Sequence, residues 1–202
     1  MRRHRALEEL ERIRDYFKDV PSYALSKQER TEEDVDDQLG LTYGETSVNL
    51  STSLMGWAGL RVEDVFCDFG SGAGIPTLVA SNFCQDARGV EILSSLVKVS
   101  EKAAKALGYE NATFEEADFA DVNVTDVTFL FAYSTCFPAA LMEIVEQKAL
   151  ETAPEARVLI TNHRFDNAGF VLEKRDFWTW KDPGSEWEMP MEVNLYKRVE
   201  TS

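Results

Sequence analysis

The sequence predicts an α/β fold: a doubly wound, mostly parallel sheet of seven strands, closed by an antiparallel hairpin at its C-terminal end. Three observations predict it. From residue 65 onward five short apolar runs alternate with segments of helical periodicity, the pattern that feeds right-handed crossovers between parallel strands. The first run ends in a glycine-rich turn, Gly70-Ser71-Gly72-Ala73-Gly74. Two longer strand-like runs then close the chain across the turn-forming stretch Lys181-Asp182-Pro183-Gly184-Ser185.

In chain order, Leu7, Leu10, Ile13, Tyr16 and Phe17 recur at three- and four-residue steps and predict an amphipathic helix over residues 6–18, with Pro21 beyond its end. A second helix is expected over residues 47–57, with Val48, Leu50, Leu54 and Met55 facing the core. Strands are expected at 65–69, 87–90, 112–115, 127–132 and 157–161. Helices between them cover 75–83, with Pro76 in the first turn, 93–107, stopped by Gly108, and 139–150. The hairpin strands are 170–180 and 192–199. A chain of 202 residues suffices for one core and is short for two, so a helical segment over 1–60 is expected to pack on a core over 61–202 as one folded unit.

Composition narrows the function classes. Hydrophobic residues make up 44% of the chain, and no apolar run approaches the roughly 20 residues of a membrane span, so no membrane association is expected. The basic start Met1-Arg2-Arg3-His4-Arg5 runs into charged Leu7-Glu8-Glu9-Leu10-Glu11-Arg12 rather than an apolar segment, which argues against secretion. Cys67, Cys84 and Cys136 lie far apart without C-x-x-C spacing, as expected of reduced thiols in the cytoplasm or nucleus. His4 and His163 cannot build a metal cluster with them, so no metal is expected. A net charge of -15 argues against direct nucleic-acid binding and for a basic partner, or else serves solubility alone. The acidic stretch 29–37 reads as a solvated helix face or loop, or as a dock for a basic protein tail.

The strongest chemical signal is Asp68-Phe69-Gly70-Ser71-Gly72-Ala73-Gly74, directly after the first strand and before a helix. Such a turn suits a dinucleotide, a phosphate or S-adenosylmethionine, and spacing must decide. In a dinucleotide fingerprint counted from Gly70, the last glycine position falls on Ile75, so that match fails. The remaining D-x-G-x-G-x-G pattern lets the loop approach the carboxypropyl end of S-adenosylmethionine while Asp68 anchors the loop or the ligand amine. Glu91 ends the second strand, where a carboxylate can accept ribose hydroxyls; it can equally be a helix-start carboxylate favoured by the dipole. After the third strand, Asp118 and Phe119 are candidates for the adenine amine and ring, or a surface aspartate beside a core aromatic.

Together with Tyr43-Gly44-Glu45-Thr46-Ser47, these residues resemble the class I, Rossmann-like S-adenosylmethionine-dependent methyltransferases, and within them the disruptor-of-telomeric-silencing, non-SET histone lysine methyltransferases, over roughly residues 42–165. The resemblance implies that S-adenosylmethionine is the cofactor, held by Tyr43, Glu45, Thr46, Asp68, Gly70, Ser71, Gly72, Glu91, Asp118 and Phe119. It implies that Tyr43 and Glu45 close over the methionine end and that the acceptor is lysine on a basic protein such as a histone. Read without the resemblance, Tyr43-Gly44 is a turn before a helix with Thr46 as N-cap. One departure concerns the acceptor pocket: where the family carries paired asparagines after the fourth strand, this chain has Tyr133-Ser134.

The acceptor reading makes Tyr133 and Tyr43 the candidate catalytic residues, with Phe137 and Cys136 nearby as wall or packing. His163 after the fifth strand is a strand-end polar residue or a cofactor-edge group. Trp178, Trp180, Trp187 and Phe177 form a hairpin core or a substrate channel. Two other functions compete with a protein-lysine methyltransferase: a small-molecule methyltransferase, and a cofactor-binding interaction module without catalysis.

Overall fold

The computed structural model describes residues 2–32 and 44–200. Tyr43 and acidic residues 33–37 lie outside the described residues. Helices α1 (Arg2–Phe17), α2 (Ser22–Glu32) and α3 (Val48–Ala58) precede the first strand. The sheet strands are β1 (Val65–Phe69), β2 (Asp86–Glu91), β3 (Ala112–Glu116), β4 (Phe129–Ala132), β5 (Arg157–Thr161), β6 (Phe170–Trp180) and β7 (Met189–Arg198). Between them run α4 (Ile75–Ala80), α5 (Ser94–Leu107) and α6 (Ala139–Ala149).

Strand order is β3-β2-β1-β4-β5-β7-β6. β1 pairs in parallel with β2 and β4, β2 with β3, and β4 with β5, whereas β7 is antiparallel to both β5 and β6. This is the doubly wound, mostly parallel sheet with a terminal hairpin. Its inner strands are apolar because helices cover both faces: all four residues of β4 and all five of β5 are buried. Phe66, Phe129 and Phe131 stack between β1 and β4 on one side of the sheet. On the other side, Phe69, Leu130, Val158 and Ile160 join Val145 and Ala149 of α6.

The order reverses between β1 and β4, and a crevice opens outside the carboxyl ends of these strands. The opposite end of β1 is closed. There Asp64 Oδ2 accepts from Arg157 Nη2 at 2.5 Å and from the Arg61 amide at 2.7 Å, and Asp64 Oδ1 accepts from Thr128 Oγ1 at 3.1 Å. Arg157 Nη1 also donates to the carbonyls of Ala58 and Gly59 at the end of α3. This buried, fully bonded pair ties the helix α3 to the two central strands.

Three expectations change. Helix α2 was not legible as a helix, because among its residues the apolar positions Tyr23 and Leu25 show no helical period. It is held instead from outside, by Glu29, whose carboxylate accepts from the amides of Ser94 at 2.8 Å and Ser95 at 2.9 Å. The N-cap of α3 is Ser47, whose Oγ accepts from the Leu50 amide at 3.2 Å, not Thr46. The aromatic hairpin cluster divides. Trp178 packs edge-on against Trp57 and beside Trp180, whereas Phe177 is exposed because successive residues of edge strand β6 face opposite sides, and Trp187 is exposed in the loop between β6 and β7.

Candidate active site

The turn after β1 is shaped by three glycines in the left-handed region, Gly70, Gly72 and Gly74, with φ of 73, 55 and 89°. A side chain at Gly70 would put its Cβ 2.9 Å from the Phe137 ring, so the close approach of loop and ring requires glycine. The amides of Gly70 and Ser71 both donate to the Val90 carbonyl, at 2.9 and 3.0 Å, which pins the turn to the end of β2. The resulting cavity measures about 310 Å³. Its walls come from the glycine turn, the ends of β2, β3 and β4, the segment before α3, and the start of α6.

Every predicted cofactor residue that is described lines this cavity: Glu45, Thr46, Asp68, Gly70, Ser71, Gly72, Glu91, Asp118 and Phe119. Tyr133 lines it too, while Tyr43 lies outside the described residues.

Asp68 is 1% exposed, and its side chain accepts one hydrogen bond, from Thr77 Oγ1 at 3.0 Å. Burial drives its pKa up to about 7, against the Thr77 bond that lowers it. Glu91 is also buried, and burial likewise raises its pKa although three amides hold the charge. Those amides are Gly72 at 2.9 Å on Oε2, and Ile92 and Leu93 at 2.9 and 3.0 Å on Oε1. Glu91 thus joins the glycine turn to the entry of α5, as the helix-start reading expects, and still borders the cavity. Two buried carboxylates on one cavity are costly unless positive charge answers them, and a cationic ligand brings such charge.

Next to the turn after β3, Phe119 stacks between Phe69, at a centroid distance of 4.8 Å, and Phe137, at 6.2 Å. Asp118 is exposed beside it, with Oδ1 accepting from the Ala120 amide at 2.9 Å. At the other end, Tyr133 is half-buried and its hydroxyl donates to Met189 Sδ at 3.3 Å. Burial pushes its phenol pKa upward, so it stays neutral at physiological pH. Ser134 faces away: its Oγ donates to the Thr161 carbonyl at 2.6 Å and locks the turn onto β5. Tyr133 alone of the pair therefore borders the cavity.

His163, Trp178, Trp180, Trp187 and Phe177 are not among the lining residues. Sequence reasoning missed Ser26 and Arg30 of α2, which are. A lone serine and arginine in a polar stretch carry no motif, and their position depends on how α2 docks. The lining therefore holds four carboxylates, Glu45, Asp68, Glu91 and Asp118, against one cation among the described residues, Arg30. Ser26 Oγ and Ser71 Oγ are buried without a hydrogen-bond partner among the described residues. A ligand with an ammonium, hydroxyls and a flat ring matches this set of carboxylates, unpartnered hydroxyls and stacked aromatics.

A family model described as "Histone methylation protein DOT1" matches residues 38–178, well over half of the chain. Among solved structures, an RNA methyltransferase from Salinibacter ruber in complex with S-adenosyl-L-homocysteine superposes with a TM-score of 0.61, at 20% identity, over 79% of this chain and 96% of that one. A putative RNA methyltransferase from Pyrococcus horikoshii gives 0.60 at 15%, covering 85% and 99%. A precorrin-6y C5,15-methyltransferase from Geobacter metallireducens gives 0.57 at 18%, covering 81% and 95%. At these identities the likeness concerns the fold. No curated protein matches the chain. Among the described residues no helix is long and apolar enough to cross a membrane.

Proposed function

This chain belongs to the DOT1 family of histone methylation proteins, class I S-adenosylmethionine-dependent methyltransferases, and from that premise we propose that it methylates lysine on a basic protein such as a histone. The observation that carries the acceptor reading is the far end of the cavity. It ends on a neutral, half-buried tyrosine with Cys136, Phe137 and Pro138 beside it, inside a largely apolar lining whose charged groups are mostly carboxylates. With four carboxylates against one cation, Arg30, among its described lining residues, the cavity suits an amine better than a phosphate. The net charge of -15 favours a cationic protein over RNA at longer range.

In this reading Asp68 faces the cofactor's ammonium and Glu91 its ribose, while Asp118 and Phe119 hold the adenine. Glu45 and Thr46 cover the methionine end, joined by Tyr43. Bound there, S-adenosylmethionine supplies a methyl group on a sulfonium, so no acid-base triad is needed. The protein's work is alignment and exclusion of water. A lysine with a pKa of about 10.4 must lose its proton first, which costs roughly 4 to 5 kcal/mol at neutral pH. The weakly polar walls beside Tyr133 reduce that cost by disfavouring the ammonium, and the Tyr133 oxygen can hold the neutral amine in line.

The test is transfer of radiolabelled methyl groups to core histones, nucleosomes, total RNA and a metabolite extract, with the labelled atom located by mass spectrometry. Label on lysine of basic proteins, lost in Tyr133→Ala while cofactor affinity is kept, is expected. Label confined to RNA or to a small metabolite would overturn the reading.

A further inference from the structure

Helix α2 reaches the cavity on the side of the Glu91-Ile92-Leu93 wall, since Glu29, one turn after Ser26, caps the very next residues of that wall, Ser94 and Ser95. Burial raises the Glu29 pKa, but the hydrogen bonds from Ser95 and Ser94 outweigh it and leave the carboxyl below its ordinary value. The docking of α2 is therefore specific. Its inner face presents Ser26, which is 0% exposed, and Arg30, which is 7% exposed.

Glu91, by contrast, is nearly saturated. A carboxylate has about four lone-pair positions, and three are taken by the amides of Gly72, Ile92 and Leu93. One vacant position accepts one ribose hydroxyl, and a ribose brings two. Ser26 lines the same cavity as Glu91, and its Oγ is fully buried with no partner among the described residues. A helical serine can satisfy its hydroxyl on the carbonyl one turn back, and Ser26 makes no such bond. Its own carbonyl is engaged instead by Arg30 Nε at 3.3 Å.

We propose that α2 forms one wall of the cofactor site and that Ser26 supplies the hydrogen-bond partner for the ribose hydroxyl that Glu91 has no room to accept. The inference rests on the reading of Glu91 as the residue facing the ribose. It explains why an alanine, the better helix former, is not used at a position where the hydroxyl is otherwise left unsatisfied. It also makes the segment before residue 60 part of the binding machinery.

The test is calorimetric titration of S-adenosylhomocysteine and its 2′-deoxy and 3′-deoxy analogues into the full chain, Ser26→Ala and Glu91→Gln, with helix content followed by circular dichroism. Ser26→Ala is expected to weaken S-adenosylhomocysteine five- to tenfold, and to bind one deoxy analogue with parental affinity because the hydroxyl it would have met is missing. Parental affinity of Ser26→Ala for all three ligands, or an equal loss for all three, would overturn the proposal. Glu91→Gln separates the two readings: an equal loss for all three ligands there removes Glu91 from the ribose, whatever Ser26 does.

Discussion

Asp64 and Asp68 bracket the central strand β1, four residues apart and 5% and 1% exposed, yet the protein equips them oppositely. Asp64 has an arginine, an amide and a threonine hydroxyl on its two oxygens. Asp68 has one threonine hydroxyl on its side chain among the described residues, and a pKa raised by burial to about 7. Burial of a carboxylate is tolerated when its charge is answered, and the first end answers it from within the fold. The second leaves the charge facing a cavity bordered by left-handed glycines and by hydroxyls without a partner among the described residues. Stability is concentrated at one end of the strand and binding capacity at the other.

The contrast can be broken from the stable end first. Arg157→Met strands the Asp64 carboxylate in the core and is expected to cost about 3 to 5 kcal/mol, read from the urea unfolding midpoint, with cofactor affinity of the folded protein unchanged. At the binding end, Gly72→Arg places a side chain in the cavity at a φ of 55°, and calorimetry should show at least a hundredfold loss of S-adenosylhomocysteine, about 2.7 kcal/mol, in a protein folded by circular dichroism. Glu91→Gln sharpens the comparison because this residue serves both purposes. Its raised pKa marks the buried charge as a cost to the fold, so neutralising it should leave ligand-free stability undiminished while lowering affinity by roughly 2 kcal/mol, measured by urea unfolding and calorimetry.

The pH dependence follows from Asp68. Its folded pKa of about 7 lies above the unfolded value, so its contribution to stability is fully present below about pH 4 and is lost as pH rises through 7. The parent should therefore lose stability across that window without ligand. Asp68→Asn should flatten the slope in the same unfolding series.

Much of this was legible in the sequence because each signal was local. The strand, glycine turn and helix at residues 65–80 depend on neighbours in the chain, as do Glu91 at the end of β2 and Phe119 after β3, and the structure brings these residues to one cavity. The bounds of β1 and β5 followed from short apolar runs whose ends are set by glycines and polar residues. What was not legible depends on docking. Ser26 and Arg30 reach the cavity only because Glu29 caps a helix 65 residues away. The exposure of Phe177 follows from β6 being the edge strand, and that order is set by how the hairpin pairs with β5. Ser134 looked equivalent to Tyr133 until the bond to Thr161 turned it away.

The most direct test of the central claim, that the carboxyl end of β1 holds the cofactor through a deliberately under-partnered Asp68, is titration of S-adenosylhomocysteine into Asp68→Asn at pH 8 with unfolding measured alongside. Affinity at least tenfold weaker, in a variant as stable as the parent or more so, is the predicted result. Parental affinity in the folded variant would contradict it.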